Sequence, residues 1–175
     1  MNYFELYGQP ESFHPGAAAV KSKYYELSRR YHPDRFVQAG DAERAEALRM
    51  AALNNDAWKT LTSPDATMAY ILQLHGLLED EEKYNLPPSF LMEMMDLNEV
   101  VSEYESDREN ERMKEKVLQA LADQTAAWES AVAPLTEKYD VGEGDNALLL
   151  RIKDYYFRKK YLLRIQQRIN TFATR

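Results

Sequence analysis

The chain of 175 residues contains no cysteine. That excludes disulfides, thiolate-held iron–sulfur clusters and zinc sites built on cysteine pairs, and it fits a reducing compartment. Long apolar runs are also missing. None approaches the roughly 20 residues needed to cross a bilayer, and the opening lacks the basic, apolar and small-residue order of a secretory leader. A soluble cytoplasmic protein without a membrane association is expected. Histidine is scarce: His14, His32 and His75 are the only three, and no two have metal-ligand spacing on one helix. There is no glycine-rich phosphate loop, no nucleophile elbow and no Glu-x-x-His pair of the di-iron bundles. His32 and Asp34 make a poor acid–base pair, because their closeness along the backbone restricts the geometry. No enzyme activity, metal or cofactor is expected.

What the chain does have is apolar content and uneven charge. Apolar and aromatic residues make up 45% of it, enough to bury a core. The net charge of −7 is not spread evenly: residues 1–75 balance to −1, residues 76–145 to −13 and residues 146–175 to +7. An acidic middle argues against nucleic acid as a partner, since phosphates demand a basic footprint. The basic end, interleaved with apolar residues, is expected to pair with the acidic segment.

Strand alternation and hairpin turns are scarce, and helical spacing is common, so the class is all-α. A short helix is predicted over Asn2–Tyr7, stopped by Gly8 and Pro10. A second runs from about Pro15 or Gly16 to Tyr31, with the stripe Val20, Tyr24, Leu27 and Tyr31. Pro33 ends it. A third starts near Asp41 as N-cap and carries Leu48, Ala51, Ala52, Asn55, Trp58 and Leu61. Ser63-Pro64-Asp65 reads as a break and restart, with Ser63 capping and Pro64 at the first helical position. The restart carries Met68, Ile71 and Leu72 up to Gly76. Residues 77–88, acidic and ending in Pro87-Pro88, read as a linker. Ser89 is then expected to cap a long helix. A further helix spans about Asn110–Tyr139, ending or kinking near Ala133 because of Pro134. Gly142 and Gly144 make a loop before a last helix from Asn146 to about Phe172. Three long helices with short loops form a bundle over 89–175.

His32-Pro33-Asp34 stands where the chain must reverse if the second and third helices are to pack antiparallel. Proline stiffens the turn, and Asp34 is pushed out of the helix with its carboxylate free. Lys21, Tyr25 and Arg29 recur at intervals of four and share one face of the preceding helix. A positive face with one carboxylate at its lip can dock on an acidic surface, charge steering the encounter. Taken alone, a Pro-Asp dipeptide after a helix is ordinary turn chemistry.

The surroundings carry a resemblance. Tyr24-Tyr25-Glu26-Leu27-Ser28-Arg29-Arg30-Tyr31-His32-Pro33-Asp34-Arg35-Phe36 resembles the second helix and loop of J-domains. Asn2 to Gly8 resembles their opening and Asn55 to Leu61 their third helix. Tyr70 to Gly76 and Phe90 to Glu93 are similar to the HscB family, the J-type co-chaperones of iron–sulfur cluster assembly. The likeness covers nearly the whole chain, specifically in the first half and loosely after Glu103. It implies a J-domain over 1–76 followed by a client-binding three-helix bundle. It also implies two partners, the DnaK-type ATPase chaperone HscA and the iron–sulfur scaffold protein IscU. Carried over by position, His32, Pro33 and Asp34 match the tripeptide that stimulates the ATPase. Lys21, Tyr24, Tyr25 and Arg35 match chaperone-facing positions, with Arg29 on the same face. At Glu26 the sequence departs from the basic residue of many J-domains. Leu91, Met92, Met95, Asp96, Glu99 and Glu103 match the scaffold-binding face, while Met94 and Leu97 are expected in the core. An aromatic of the last helix completes that face in the family; Tyr156 is the best match, with Phe157 beside it. Two other readings stay open: a J-domain co-chaperone for a different client, and a purely structural helical protein.

Overall fold

The computed structural model describes residues 1–173. It is all-α, and among the described residues no strand occurs. Seven helices follow in order: α1 Tyr3–Leu6, α2 Ala17–Arg30, α3 Asp41–Leu61, α4 Pro64–Leu74, α5 Pro88–Ser106, α6 Glu111–Lys138 and α7 Asn146–Ala173. A 3₁₀ turn, Pro33–Phe36, joins α2 to α3. The chain divides into two compact units, Met1–Gly76 and Leu77–Arg175.

In the first unit the local signals act as chemistry requires. Asn2 and Glu5 form a reciprocal capping box that starts α1. Ser63 accepts from the Ala66 N–H and Pro64 opens α4, so the break and restart are as predicted. Helices α2 and α3 run antiparallel: Tyr24 lies against Trp58, and Ser28, one turn on, against Asn54. The face of α3 differs from the predicted stripe. Ala47, Met50, Asn54, Ala57 and Leu61 are buried, whereas Leu48 is 69% exposed and Ala52 and Asn55 face solvent. The buried set recurs at three, four, three and four, a proper helical stripe, but small and polar members disguise it. The predicted cap at Asp41 also shifts by one: Gly40 is the N-cap, and Asp41 sits in the first turn, where its charge favours the helix N-terminus.

Asn54 explains why a polar residue occupies that stripe. Its side chain is 1% exposed. The Tyr7 hydroxyl donates to its Oδ1 at 2.8 Å and lies 3.0 Å from its backbone carbonyl. Its Nδ2 donates to the Tyr24 carbonyl and to Ser28 Oγ, each at 3.1 Å. One amide thereby ties the end of α1 to both long helices. Burial, and next the proximity of Tyr24, hold the Tyr7 phenol well above its ordinary pKa, so it remains a neutral donor.

The second unit is an up–down–up bundle. Phe90, Met94, Leu97, Val101 and Tyr104 of α5 pack with Val117 and Leu121 of α6 and with Leu162, Ile165, Ile169 and Phe172 of α7. Two boundaries differ from expectation. Pro87 is the N-cap of α5 and Pro88 its first residue, so Ser89 is not a cap; proline needs no N–H partner there. Helix α6 does not end at Ala133 but runs through Pro134 to Lys138. Gly142 takes a φ of +85° in the α6–α7 connection, a backbone region that suits glycine.

The basic end pairs with acidic residues of the same unit, as its interleaving implied. Arg168 meets Glu105 at 2.7 Å, and Lys153 meets Glu82 at 2.8 Å. Glu82 lies in the helix-free stretch before α5. There the Tyr84 ring stacks on Phe157, with centroids 4.5 Å apart and planes within 2°, and the Tyr84 hydroxyl donates to Asp154 at 3.0 Å. This stretch is strapped to α7.

Replacing Asn54 by alanine removes the bonds of its buried amide to Tyr7, Tyr24 and Ser28, leaving the Tyr7 hydroxyl only the residue-54 backbone carbonyl and Ser28 only its bond to the Tyr24 carbonyl. The expected loss is about 2–3 kcal/mol of unfolding free energy, read by denaturant titration; a change below about 0.5 kcal/mol would show the network to be dispensable.

Candidate functional site

Helix α2 buries Val20 and Leu27 and turns Lys21, Tyr25 and Arg29 outward. Tyr24 lies between these two sets. It is half-buried, stacks on Trp58 at 4.6 Å, and its hydroxyl donates to Asn55 at 3.3 Å. Its ring therefore packs against α3, while Tyr25, 49% exposed, stands free of that contact and meets Tyr24 edge-on. Glu26 is paired with Lys23 at 3.2 Å, so the departure from a basic residue is locally compensated.

The end of α2 is built by its own residues. Tyr31 closes the last turn with an N–H bond to the Leu27 carbonyl. His32 then becomes the N-cap of the 3₁₀ turn, its Nδ1 accepting from the Asp34 N–H at 3.2 Å. The Asp34 carboxylate lies 3.6 Å from that nitrogen and its side chain is 88% exposed. Pro33 sets the first residue of the turn. Arg35 reaches back to the Arg29 carbonyl at 3.4 Å, placing a cation at the C-terminal end of the helix, where the dipole favours it. The result is a fixed, exposed carboxylate beside a basic helix surface.

In the second unit α5 buries Met94 and Leu97 and exposes Leu91 (38%), Met92 (67%) and Met95 (69%). Asp96, Glu99 and Glu103 continue the outward side; Glu103 lies 3.9 Å from Lys116, a weak surface pair. Two large methionines left in water are a soft, adaptable apolar surface of the kind that protein partners cover. On α7, Phe157 is buried beneath Tyr84, and Tyr156 is half-buried with its ring edge-on to Phe157 at 5.1 Å. Three contributors escaped the sequence reading. Asn54 was hidden by polarity at an apolar position, Tyr84 by lying in a stretch read as linker, and Asn98 by bonds that form only across helices. Among the described residues no three His, Asp or Glu side chains gather as a metal site.

Residues 86–170 match the family model of the HSCB C-terminal oligomerisation domain. Two solved structures are similar over nearly all of the chain. Chaperone HscB from Vibrio cholerae is 27% identical, with 98% of this chain and 96% of that chain covered and a TM-score of 0.73. Human co-chaperone protein HscB is 26% identical, with 98% and 81% covered and a TM-score of 0.78.

Burial first, then the bond and negative charge of Asp154, push the Tyr84 phenol up to about 12. A raised folded-state pKa means that its stabilising effect is intact below the unfolded value near 10 and lost as pH rises through about 12. An alkaline titration of phenolate absorbance should therefore show late-ionising phenols, Tyr7 and Tyr84 among them, and Tyr84→Phe should lower the amplitude of the late step by one phenol. A late step of unchanged amplitude in that variant contradicts the strap.

Proposed function

We propose, from the match of residues 86–170 to the HSCB C-terminal domain model and the likeness of the whole fold to HscB co-chaperones, that this chain is an HscB-type co-chaperone that couples the ATPase chaperone HscA to the scaffold protein IscU in iron–sulfur cluster assembly. The single observation that carries the proposal is the exposed Asp34 carboxylate, fixed by His32 and Pro33 at the end of a basic helix. In this reading residues 1–76 act as the J-domain, residues 77–88 as the connection and residues 89–175 as the client-binding bundle. The protein works in the cytoplasm without catalysing a reaction itself. No helix among the described residues is long and apolar enough to cross a membrane.

The mechanism follows from charge and position. Lys21, Arg29 and Arg35 steer the unit onto an acidic surface of the chaperone, raising the rate of encounter. Tyr25 supplies an exposed aromatic anchor, and Tyr24, held by Trp58, fixes its neighbour's direction. Asp34 then presents its carboxylate to the chaperone, and His32 and Pro33 keep the turn from relaxing. At the other end Leu91, Met92 and Met95 give the scaffold protein an apolar seat. Asp96, Glu99 and Glu103 favour a basic flank on it, and Tyr156 borders the seat from α7. Holding both partners on one chain raises the effective concentration of client at the chaperone.

Asp34→Asn tests the chaperone end. It should abolish ATPase stimulation while the circular dichroism spectrum and scaffold affinity stay as in the wild type; retained stimulation would sink the mechanism. Met92→Ala combined with Met95→Ala tests the client end. Truncating two exposed anchors should weaken scaffold binding by roughly ten- to a hundredfold with the thermal midpoint unchanged, and unaltered affinity by calorimetry would place the client elsewhere.

A further inference from the structure

Immediately beyond Met95, along the seam of α5 and α7, lies a groove of ≈ 230 Å³ lined by Asn98, Tyr161, Arg164, Ile165 and Arg168. Asn98 follows Met95 by three residues and Leu91 by seven, so the groove continues the same side of α5. Its polar groups are ordered in a chain. Arg168 is committed to Glu105 at 2.7 Å and Ser102 at 3.2 Å, and it also donates to Asn98 Oδ1 at 3.3 Å. That fixes the Asn98 amide, whose Nδ2 donates to the Tyr161 hydroxyl oxygen at 3.3 Å. A phenol oxygen that accepts keeps its own proton for another acceptor.

Arg164, exposed, lines the same groove. The neighbouring cations of α7 are taken: Lys153 by Glu82, Arg158 by Asp154, Lys159 by the Trp128 ring, and Lys160 by the rings of Tyr156 and Phe157. Arg164 has no such ion pair or ring contact among the described residues. The groove therefore offers donors, a guanidinium and a hydroxyl, while its amide oxygen is already occupied. Such a set is complementary to a carboxylate. The outward side of α5 has the opposite sign, with Asp96, Glu99 and Glu103. An apolar seat between an anionic flank and a cationic groove imposes one orientation on whatever covers it.

We propose that this groove receives an Asp or Glu side chain of the scaffold protein, held by Arg164 and the Tyr161 hydroxyl, so that the client face spans α5 and α7 and reads the partner's polarity. The inference rests on the docking of the scaffold on Leu91, Met92 and Met95. Purified IscU binding to the full chain, measured by calorimetry at low and high salt, tests it. Arg164→Gln should raise Kd about tenfold at low salt and flatten the salt dependence. Tyr161→Phe should raise Kd about threefold, and Arg164→Lys should keep the salt response because the charge remains. The thermal midpoint of Arg164→Gln should match the wild type. Wild-type affinity and salt response in Arg164→Gln, alongside weakened binding by the Met92 and Met95 variant, overturns the groove and leaves the docking face standing. If the methionine variant also binds normally, the docking reading fails and the groove assignment falls with it.

Discussion

The amide of Asn54 engages three polar groups in an otherwise apolar interior, and the seating of α2 on α3 follows from it. A buried amide costs little only while its donors and acceptors are satisfied. Asn54 achieves this by engaging Tyr7, Tyr24 and Ser28 together. Hydrogen bonds are directional where apolar contacts are not, so this network selects one register of α2 against α3. The direction of Tyr25, Lys21 and Arg29 is a consequence of that register, whereas the end of α2 at Arg30 is set locally by the Pro33 turn. A leucine at the same position would fill the stripe equally well and leave sliding unopposed.

The second unit solves a different problem. Its core is apolar and regular, and its specificity lies in what is left outside. Helix α5 spends its buried side on Met94, Leu97 and Val101 and leaves Met92 and Met95 in water. Two cations of α7 pair with acidic residues of the middle of the chain, Arg168 with Glu105 and Lys153 with Glu82. Beside the methionines, Asp96 and Glu99 stand exposed on one flank and Arg164 on the other. Exposed apolar surface is costly to solubility, and charge beside it is useful for recognition.

Much of this was legible in the chain itself, for identifiable reasons. Ser63-Pro64 gave the start of α4 because a cap and a helix-opening proline act locally. The all-α class and the two long helices of the first unit followed from spacing. The α3 face was misplaced by one position because Ala47, Asn54 and Ala57 carry little apolar weight, whereas Leu48 does and is exposed. The strap escaped because the Tyr84–Asp154 bond joins residues 70 positions apart and has no local signature. Pro134 was overrated as a breaker, since flanking turns keep α6 continuous to Lys138. In the candidate site, the family resemblance singled out the tripeptide and the methionine face, both of which are exposed, but not the Asn98–Tyr161 seam, which exists only once α5 and α7 are parallel neighbours.

The central claim is that chaperone stimulation and client delivery require both ends on one chain. The most direct measurement is HscA ATPase activity in the presence of IscU, with two full-length variants mixed in equal amounts. One carries Asp34→Asn and the other carries Met92→Ala with Met95→Ala. A two-ended adaptor predicts that the mixture fails to restore the synergy between co-chaperone and scaffold that the wild type gives at the same total concentration. Full synergy from the mixture would show that the ends act independently and would contradict the account.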